Sequence, residues 1–186
     1  MRSILIPDFV SNPQEYFEEL REQLDWIRHD SVPRSEYYCD SKNRPYTYGK
    51  GAGIRTYYPG PRCKGLVELW ASVDRRVGVE FDVCFLNRYD DSRDHLGWHS
   101  DDSPEMDDQR PIAIVSLGAE REIWFRKRPE LVASAGGGEI THKLLLPSGS
   151  LCLMPAGFQD VYQHRIPKVG FECGPRISLT FRGRVD

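Results

Sequence analysis

Gly97-Trp98-His99-Ser100-Asp101-Asp102 sets an imidazole and a carboxylate two residues apart. On a strand, positions i and i+2 project to one face, so His99 and Asp101 can address one ion. A third ligand must come from elsewhere. Of the five histidines (His29, His95, His99, His142, His164), His164 is the best candidate, because a strand in SGSLCLMPAGFQDVYQ can carry it back beside the first pair. Two histidines and one carboxylate are the facial triad of non-haem iron(II) sites, which leaves one side of the octahedron open for a bidentate co-substrate and dioxygen. A hydrolytic zinc ion takes the same ligands. Among five histidines, H-x-D with a distant His also arises by accident.

Two further segments bear on that choice. Arg176, Ser178, Thr180 and Arg182 alternate with Ile177, Leu179 and Phe181. A strand of this pattern has one polar and one apolar face. Two inward-facing arginines need an anion, and guanidinium grips carboxylate in a two-pronged fork. The plain alternative is an exposed edge strand carrying two arginines. In VCFLNRY, Asn87 and Tyr89 share a face and offer neutral donors to carboxylate oxygens. Taken alone, that segment reads equally as a strand end entering the polar loop YDDSRD.

The elements that must hold these groups fall into two regions. Over the first thirty residues, Tyr16, Phe17, Leu20, Leu24 and Ile27 recur at helical spacing, with Ser11 or Asn12 as cap and Pro13 in the first turn. Residues 31–62, rich in Pro, Gly and Tyr, predict loops and hairpins, and 66–77 predict a helix. From residue 79 onward, short apolar stretches alternate with turns at Gly118, Gly136–Gly138, Pro147–Gly149 and Pro155–Gly157. Many short strands predict a sandwich, barrel or jelly roll, and helices before strands make the class α+β. With no linker, the 186 residues read as one domain.

Bulk composition limits the function classes. No apolar run approaches the eighteen residues of a membrane span, and the N-terminus lacks a signal-peptide pattern. A cytoplasmic protein (nuclear in a eukaryote), not secreted and monomeric, is expected. Cys39, Cys63, Cys84, Cys152 and Cys173 form no C-x-x-C pair and read as reduced thiols. The net charge of −3 argues mildly against a nucleic-acid partner, although a local basic rim can sit on an acidic body.

The order N-x-Y, H-x-D, H, R-x-S-x-T-x-R resembles that of the AlkB family of iron(II)/2-oxoglutarate dioxygenases, the nucleic-acid demethylases, over roughly residues 44–184. The likeness is strongest in LNRY, HSDD, PIAIVSLGAERE, MPAGFQDVYQH and RISLTFR. It implies a double-stranded β-helix (jelly roll) with N-terminal helices packed on one sheet. The helices and nucleotide-recognition loops would occupy about 1–78 and the jelly-roll core about 79–186. It implies iron(II) on His99, Asp101 and His164. Co-substrate 2-oxoglutarate would lie on Asn87, Tyr89, Arg176, Ser178, Thr180 and Arg182, with Arg176 and Tyr89 at its distal carboxylate and Arg182 and Asn87 toward the chelating end. Ser178 stands where the family usually has Asn.

On the substrate side the resemblance implies Asp102, Tyr58, Tyr57, Tyr48, Trp98 and Arg126. Asp102 would read a base's exocyclic amine and the tyrosines would stack on an extruded base; packing of a hairpin under the sheet is the other reading of the tyrosines. Ser103 departs from an acid common in the family. Arg126-Lys127-Arg128 and Arg44, Lys50 and Arg55 are candidate phosphate contacts, and Glu105, Asp107 and Asp108 either face a cationic base or form a solvated loop. The implied activity is oxidative demethylation of 1-methyladenine and 3-methylcytosine in nucleic acid, DNA in preference to RNA, a direct-reversal repair reaction using dioxygen. The same chemistry on another base, a protein or a small molecule, and a non-catalytic nucleic-acid-binding jelly roll, are the rival expectations.

Overall fold

The computed structural model describes residues 2–49, 54–132 and 138–185. Two antiparallel sheets face each other. In the larger, β1 (Ile4–Ile6), β11 (Leu151–Met154), β8 (Ile112–Gly118), β13 (Arg176–Arg182), β6 (Val83–Tyr89), β3 (Ser35–Asp40) and β2 (Ile27–Arg28) lie in that order. In the smaller the order is β10 (Ile140–Leu146), β9 (Arg121–Lys127), β12 (Tyr162–Ile166) and β7 (Leu96–His99). A separate hairpin joins β4 (Tyr46–Tyr48) to β5 (Arg55–Tyr57). This is the expected α+β jelly roll.

The helices cover the outer face of the large sheet. α1 (Pro13–Gln23) and α2 (Lys64–Val77) present Phe17, Leu20, Leu66, Leu69, Trp70 and Val73 to Val115, Leu117, Ile177, Leu179 and Phe181. The apolar half of the R-x-S-x-T-x-R alternation is thus spent on the helices, which turns its polar half toward the small sheet. A second apolar cluster closes the space between the sheets. It contains Ile112, Ile114, Cys152 and Met154 from one sheet, Ile123, Phe125, Leu146 and Ile166 from the other, and Phe158 of the short α3 (Phe158–Val161).

Several sequence expectations change here. The first thirty residues hold one eleven-residue helix with strands on both sides. Asn12 does occupy the cap position, but at φ 55° in the left-handed region and with no side-chain cap bond. Residues 35–40, expected among loops and hairpins, instead form β3 inside the large sheet, in which every position is buried. Its run of six buried residues has no alternation to read, because the strand is covered on both faces. The large sheet therefore draws three strands from before residue 79, and no boundary at that position divides it. The turns at Gly118, Gly149 and Gly157 are as expected, each with positive φ, whereas Gly136 and Gly137 lie outside the described residues. No helix among the described residues is long and apolar enough to cross a membrane.

Candidate active site

The two sheets enclose a chamber of about 250 Å³. β12 brings His164 beside His99, its direct partner across β7, and the two rings lie 4.2 Å apart. Asp101 completes the group: its Oδ1 is 3.7 Å from His99 Nε2 and its Oδ2 is 3.5 Å from His164 Nε2. One ligand atom from each residue falls within 4.8 Å of the others. β7 ends at His99, so Asp101 is not the in-strand i+2 neighbour that the spacing predicted. It sits in the following loop, held by its backbone. Gln159 Oε1 accepts the Asp101 N–H at 2.9 Å, and Arg182 Nη2 donates to the Asp101 carbonyl at 2.6 Å. Ser100 Oγ donates to Tyr162 O, tying the same loop to β12.

Protonation states favour metal binding. Nδ1 of His99 lies 2.9 Å from the Gly97 carbonyl. A carbonyl can only accept, so Nδ1 carries a proton and Nε2 is the ring nitrogen left facing Asp101. Burial, reinforced by His99, pushes His164 down to about 3. Burial works to raise the Asp101 carboxyl, but Arg182, His164 and His99 together hold it below the usual carboxylate range. A neutral imidazole and an ionised carboxylate are the forms that ligate.

The dicarboxylate cradle lies on the polar face of β13. Arg176, Ser178, Thr180 and Arg182 all line the chamber, with Asn87 and Tyr89 of the neighbouring β6. The register sets Arg176 opposite Tyr89 and Ser178 opposite Asn87. Arg176 is fully buried. Its Nη2 donates to Ser116 Oγ, while its Nε and Nη1, the Tyr89 hydroxyl and Arg182 Nε are buried without a hydrogen-bond partner. Burial, opposed by Tyr89 and reinforced by Arg121, lowers Arg176 to about 10. A buried cation with unsatisfied donors is costly. An entering carboxylate satisfies these donors, so the residues present fit 2-oxoglutarate as they fit the metal.

Four contributors escape a reading of the sequence. Gln159 holds Asp101. Arg121 is buried beneath Tyr89, 5.5 Å from its ring, and donates to the carbonyls of Asp94 and Pro167. Arg34 Nε donates to Asn87 Oδ1, which leaves the Asn87 amide NH₂ as its free donor. The carboxylate of Glu36 accepts from Arg34 and from the Tyr57 hydroxyl. Arg121 and Gln159 fall inside the motifs PIAIVSLGAERE and MPAGFQDVYQH, which do not by themselves assign them these roles, and the pairing of Arg34 with Glu36 means something only where β3 is known to be a strand.

On the substrate side the residues divide. Tyr48, Tyr57, Trp98 and Arg55 line the chamber. Burial, then Glu36, raises Tyr57 to about 12, so its phenol stays protonated. Tyr58 is 78% exposed and outside the chamber lining, one residue past Tyr57, which ends β5 and lines the chamber. Asp102 also lies outside the lining and is ion-paired with Arg128 at 2.7 Å. Arg126 bonds Gln163 and stacks over Trp98. Of the expected basic rim, Arg44 pairs with Asp40 and Arg128 with Asp102 and Glu130, and Lys50 lies outside the described residues. Glu105 and Asp107 lie outside the chamber lining, half-buried and paired with Arg184 and Arg110, so they neither face the chamber nor form a freely solvated loop.

Open coordination beside a dicarboxylate cradle, inside a jelly roll, is the arrangement of the iron(II)/2-oxoglutarate dioxygenase class. The family described as the 2OG-Fe(II) oxygenase superfamily matches residues 4–182. The chain belongs to that superfamily and, within it, to the AlkB family. It is 30% identical to the alpha-ketoglutarate-dependent dioxygenase alkB homolog 3 of Bos taurus, over 97% of this chain and 65% of that protein. It is likewise 30% identical to the DNA oxidative demethylase ALKBH2 of Homo sapiens, over 90% of this chain and 67% of that one. The chain thus spans about two thirds of the length of these relatives, and slightly less for the alkB homolog 3 proteins. The solved structure of OsALKBH1 has the same fold, with a TM-score of 0.60 at 16% identity, over 98% of this chain and 99% of that one.

Proposed function

We propose that this protein oxidatively demethylates N-alkylated nucleobases, 1-methyladenine and 3-methylcytosine, in DNA or RNA, using iron(II), dioxygen and 2-oxoglutarate. The observation that carries the reading is one chamber lined at once by the three ligands, the Arg176–Tyr89 cradle and the aromatic side chains Tyr48, Tyr57 and Trp98. A flat base admitted to such a chamber stacks on aromatic walls and presents its edge to the polar groups. The names of the relatives, a DNA oxidative demethylase among them, support the same substrate class.

His99, Asp101 and His164 would hold iron(II), which supplies the activation of dioxygen that couples oxidation of 2-oxoglutarate to hydroxylation of the methyl carbon. Arg176 and Tyr89 bind the distal carboxylate and orient the co-substrate along β13. Arg182 meets its other end, next to Asp101. Arg34 and Glu36 hold Asn87 with its amide donor free. The Tyr57 phenol, kept protonated, bonds Glu36 and fixes one wall of the base slot. The hydroxymethylated base then releases formaldehyde without help from these side chains, and none of the ligands acts as acid or base. Asp102 lies at the rim and is held by Arg128, so it reads a base only by giving up that ion pair.

The test is anaerobically purified protein given iron(II), ascorbate, 2-oxoglutarate and air, with or without an oligonucleotide containing 1-methyladenine. Succinate together with loss of one methylene in oligonucleotide mass, both absent in His99→Ala, is expected. Succinate without the mass change would move the same chemistry to another substrate. Neither product, from folded protein with bound iron, would sink the reading.

A further inference from the structure

The outward face of the small sheet carries a row of alternating cations and indoles. β9 alternates buried Ile123 and Phe125, turned to the core, with half-buried Glu122, Trp124 and Arg126, turned away from it. The register continues this outward row across all four strands. Lys143 of β10 and Arg165 of β12 both stand directly opposite Trp124, and Trp98 lies on β7 beyond β12. Lys143 Nζ is 3.9 Å from the centroid of the Trp124 ring, and the Arg165 guanidinium 4.7 Å from it on the β12 side. Arg165 also reaches Trp98 at 5.3 Å, and Arg126 covers Trp98 at 4.5 Å.

The charges on this face are unbalanced. Elsewhere Arg21, Arg28, Arg34, Arg88, Arg93, Arg110, Arg128 and Arg184 each meet a carboxylate. Among the described residues, Arg126, Arg165 and Lys143 meet none. Arg165 Nε is buried without a hydrogen-bond partner, and burial and repulsion from Arg165 lower Arg126. The carboxylate on the face, Glu122, accepts from Trp124 Nε1 instead. In a chain of net charge −3, a row of cations held on indole faces and left without counter-charge is built for an external anion. Stacking immobilises the guanidinium and ammonium groups, so less side-chain freedom is lost when an anion arrives.

We propose that this row is a phosphate rail for the polynucleotide strand flanking the base in the chamber, an inference that rests on the nucleic-acid reading above. Trp98 belongs both to the chamber lining and to the row, so a strand leaving the mouth meets the row without crossing other surface. The row crosses three inter-strand gaps, about 14 Å at roughly 4.8 Å each. That length spans a few consecutive phosphates of one strand, enough for one contact each from Arg165 and Lys143. Arg165, Lys143 and Arg126 supply the positive charge, and Trp98 and Trp124 hold them in place.

The test uses Lys143→Glu with Arg165→Glu, two residues outside the chamber lining. Binding of an unmethylated, fluorescently labelled single strand is followed by anisotropy against salt. Each lost phosphate contact lowers the log–log salt slope by about 0.7, so the double variant loses about 1.4 in slope and about 25-fold in affinity at 0.1 M relative to 1 M salt. Succinate-coupled turnover of a methylated trinucleotide, too short to run along the row past Trp98, stays at the wild-type level, while kcat/KM on a longer methylated strand falls with binding. Lys143→Glu alone, at an exposed position, gives half the slope change and guards against misfolding of the double variant. Unchanged slope and affinity in folded variants would overturn the rail. So would displacement of the strand from the wild type by an acidic peptide at equal charge, which would assign the face to a protein partner. Wild-type binding with the expected slope but no demethylation of any strand would leave the rail and remove the demethylase reading.

Discussion

At the scale of single residues, the site depends on side chains that never touch a ligand. Gln159 illustrates this. Its Oε1 holds the Asp101 N–H, and its Nε2 points at Met154 Sδ in the core. Asp101 lies past the end of β7, so nothing in the strand ladder fixes it. Supporting hydrogen bonds of this kind typically change metal affinity 10- to 100-fold. Gln159→Leu is therefore expected to weaken iron(II) or manganese(II) binding by about 10- to 100-fold while 2-oxoglutarate affinity at saturating metal changes little. Arg176→Met should do the converse: hydrogen bonds to a charged group are worth about 1.5–3 kcal/mol, so KM for 2-oxoglutarate rises roughly 10- to 150-fold. Arg176→Lys does not restore it, because an ammonium lacks the planar fork. Titrating metal and co-substrate separately distinguishes the two. Loss of both affinities in both variants would show general disruption instead.

At the scale of elements, β13 and β8 carry the cradle between the helices and the small sheet. Gly118 ends β8 at φ +85°, and a Cβ there would lie 2.5 Å from the Pro175 carbonyl and 2.8 Å from the Phe17 ring. The close approach keeps α1 and the start of β13 together, one residue before Arg176. Gly118→Ala meets both backbone strain and a clash with backbone. It should cost about 1–3 kcal/mol, or roughly 2–12 °C in Tm for a chain of this size. A Tm unchanged in Gly118→Ala would show that the approach is not required. The alternation on β13 is legible in the amino-acid sequence, because a period of two survives whatever the strand pairs with. β3 is not, because a strand buried on both faces carries no period.

At the scale of the whole molecule, the cradle is a cost until something enters it. Arg176, Arg182 and the Tyr89 hydroxyl hold buried, unsatisfied polar atoms between the sheets, and uncompensated buried charge is strongly destabilising. Ligands that bind only the folded state stabilise it by mass action. Manganese(II) with 2-oxoglutarate, without oxygen, should therefore raise Tm. At a hundredfold excess over Kd the gain is about 2.7 kcal/mol, or some 5–11 °C at roughly 2–4 °C per kcal/mol. Succinate, which keeps one end for Arg176 but loses the chelating 2-oxo group, should give less. An equal shift with succinate would show that the metal end contributes nothing to co-substrate binding.

Some of this was determined by the sequence alone. Ligand types, the two-residue spacings and the polar face of β13 are local properties, and the resemblance through five ordered motifs joined them to one chemistry. Which histidine completes the triad was narrowed to His164 by order along the chain, and pairing of β12 with β7 placed it there. Only the tertiary structure decided that Asp101 lies beyond its strand, that Asp102 is held by Arg128 and that Tyr58 points outward. It alone recruited Gln159, Arg121, Arg34 and Glu36, and it alone stacked Lys143, Trp124, Arg165 and Trp98 in one row. The physical reason is the same throughout. A strand's own pattern dictates which face each side chain occupies, but what that face meets is set by pairing between segments far apart in the chain, and no local period records it.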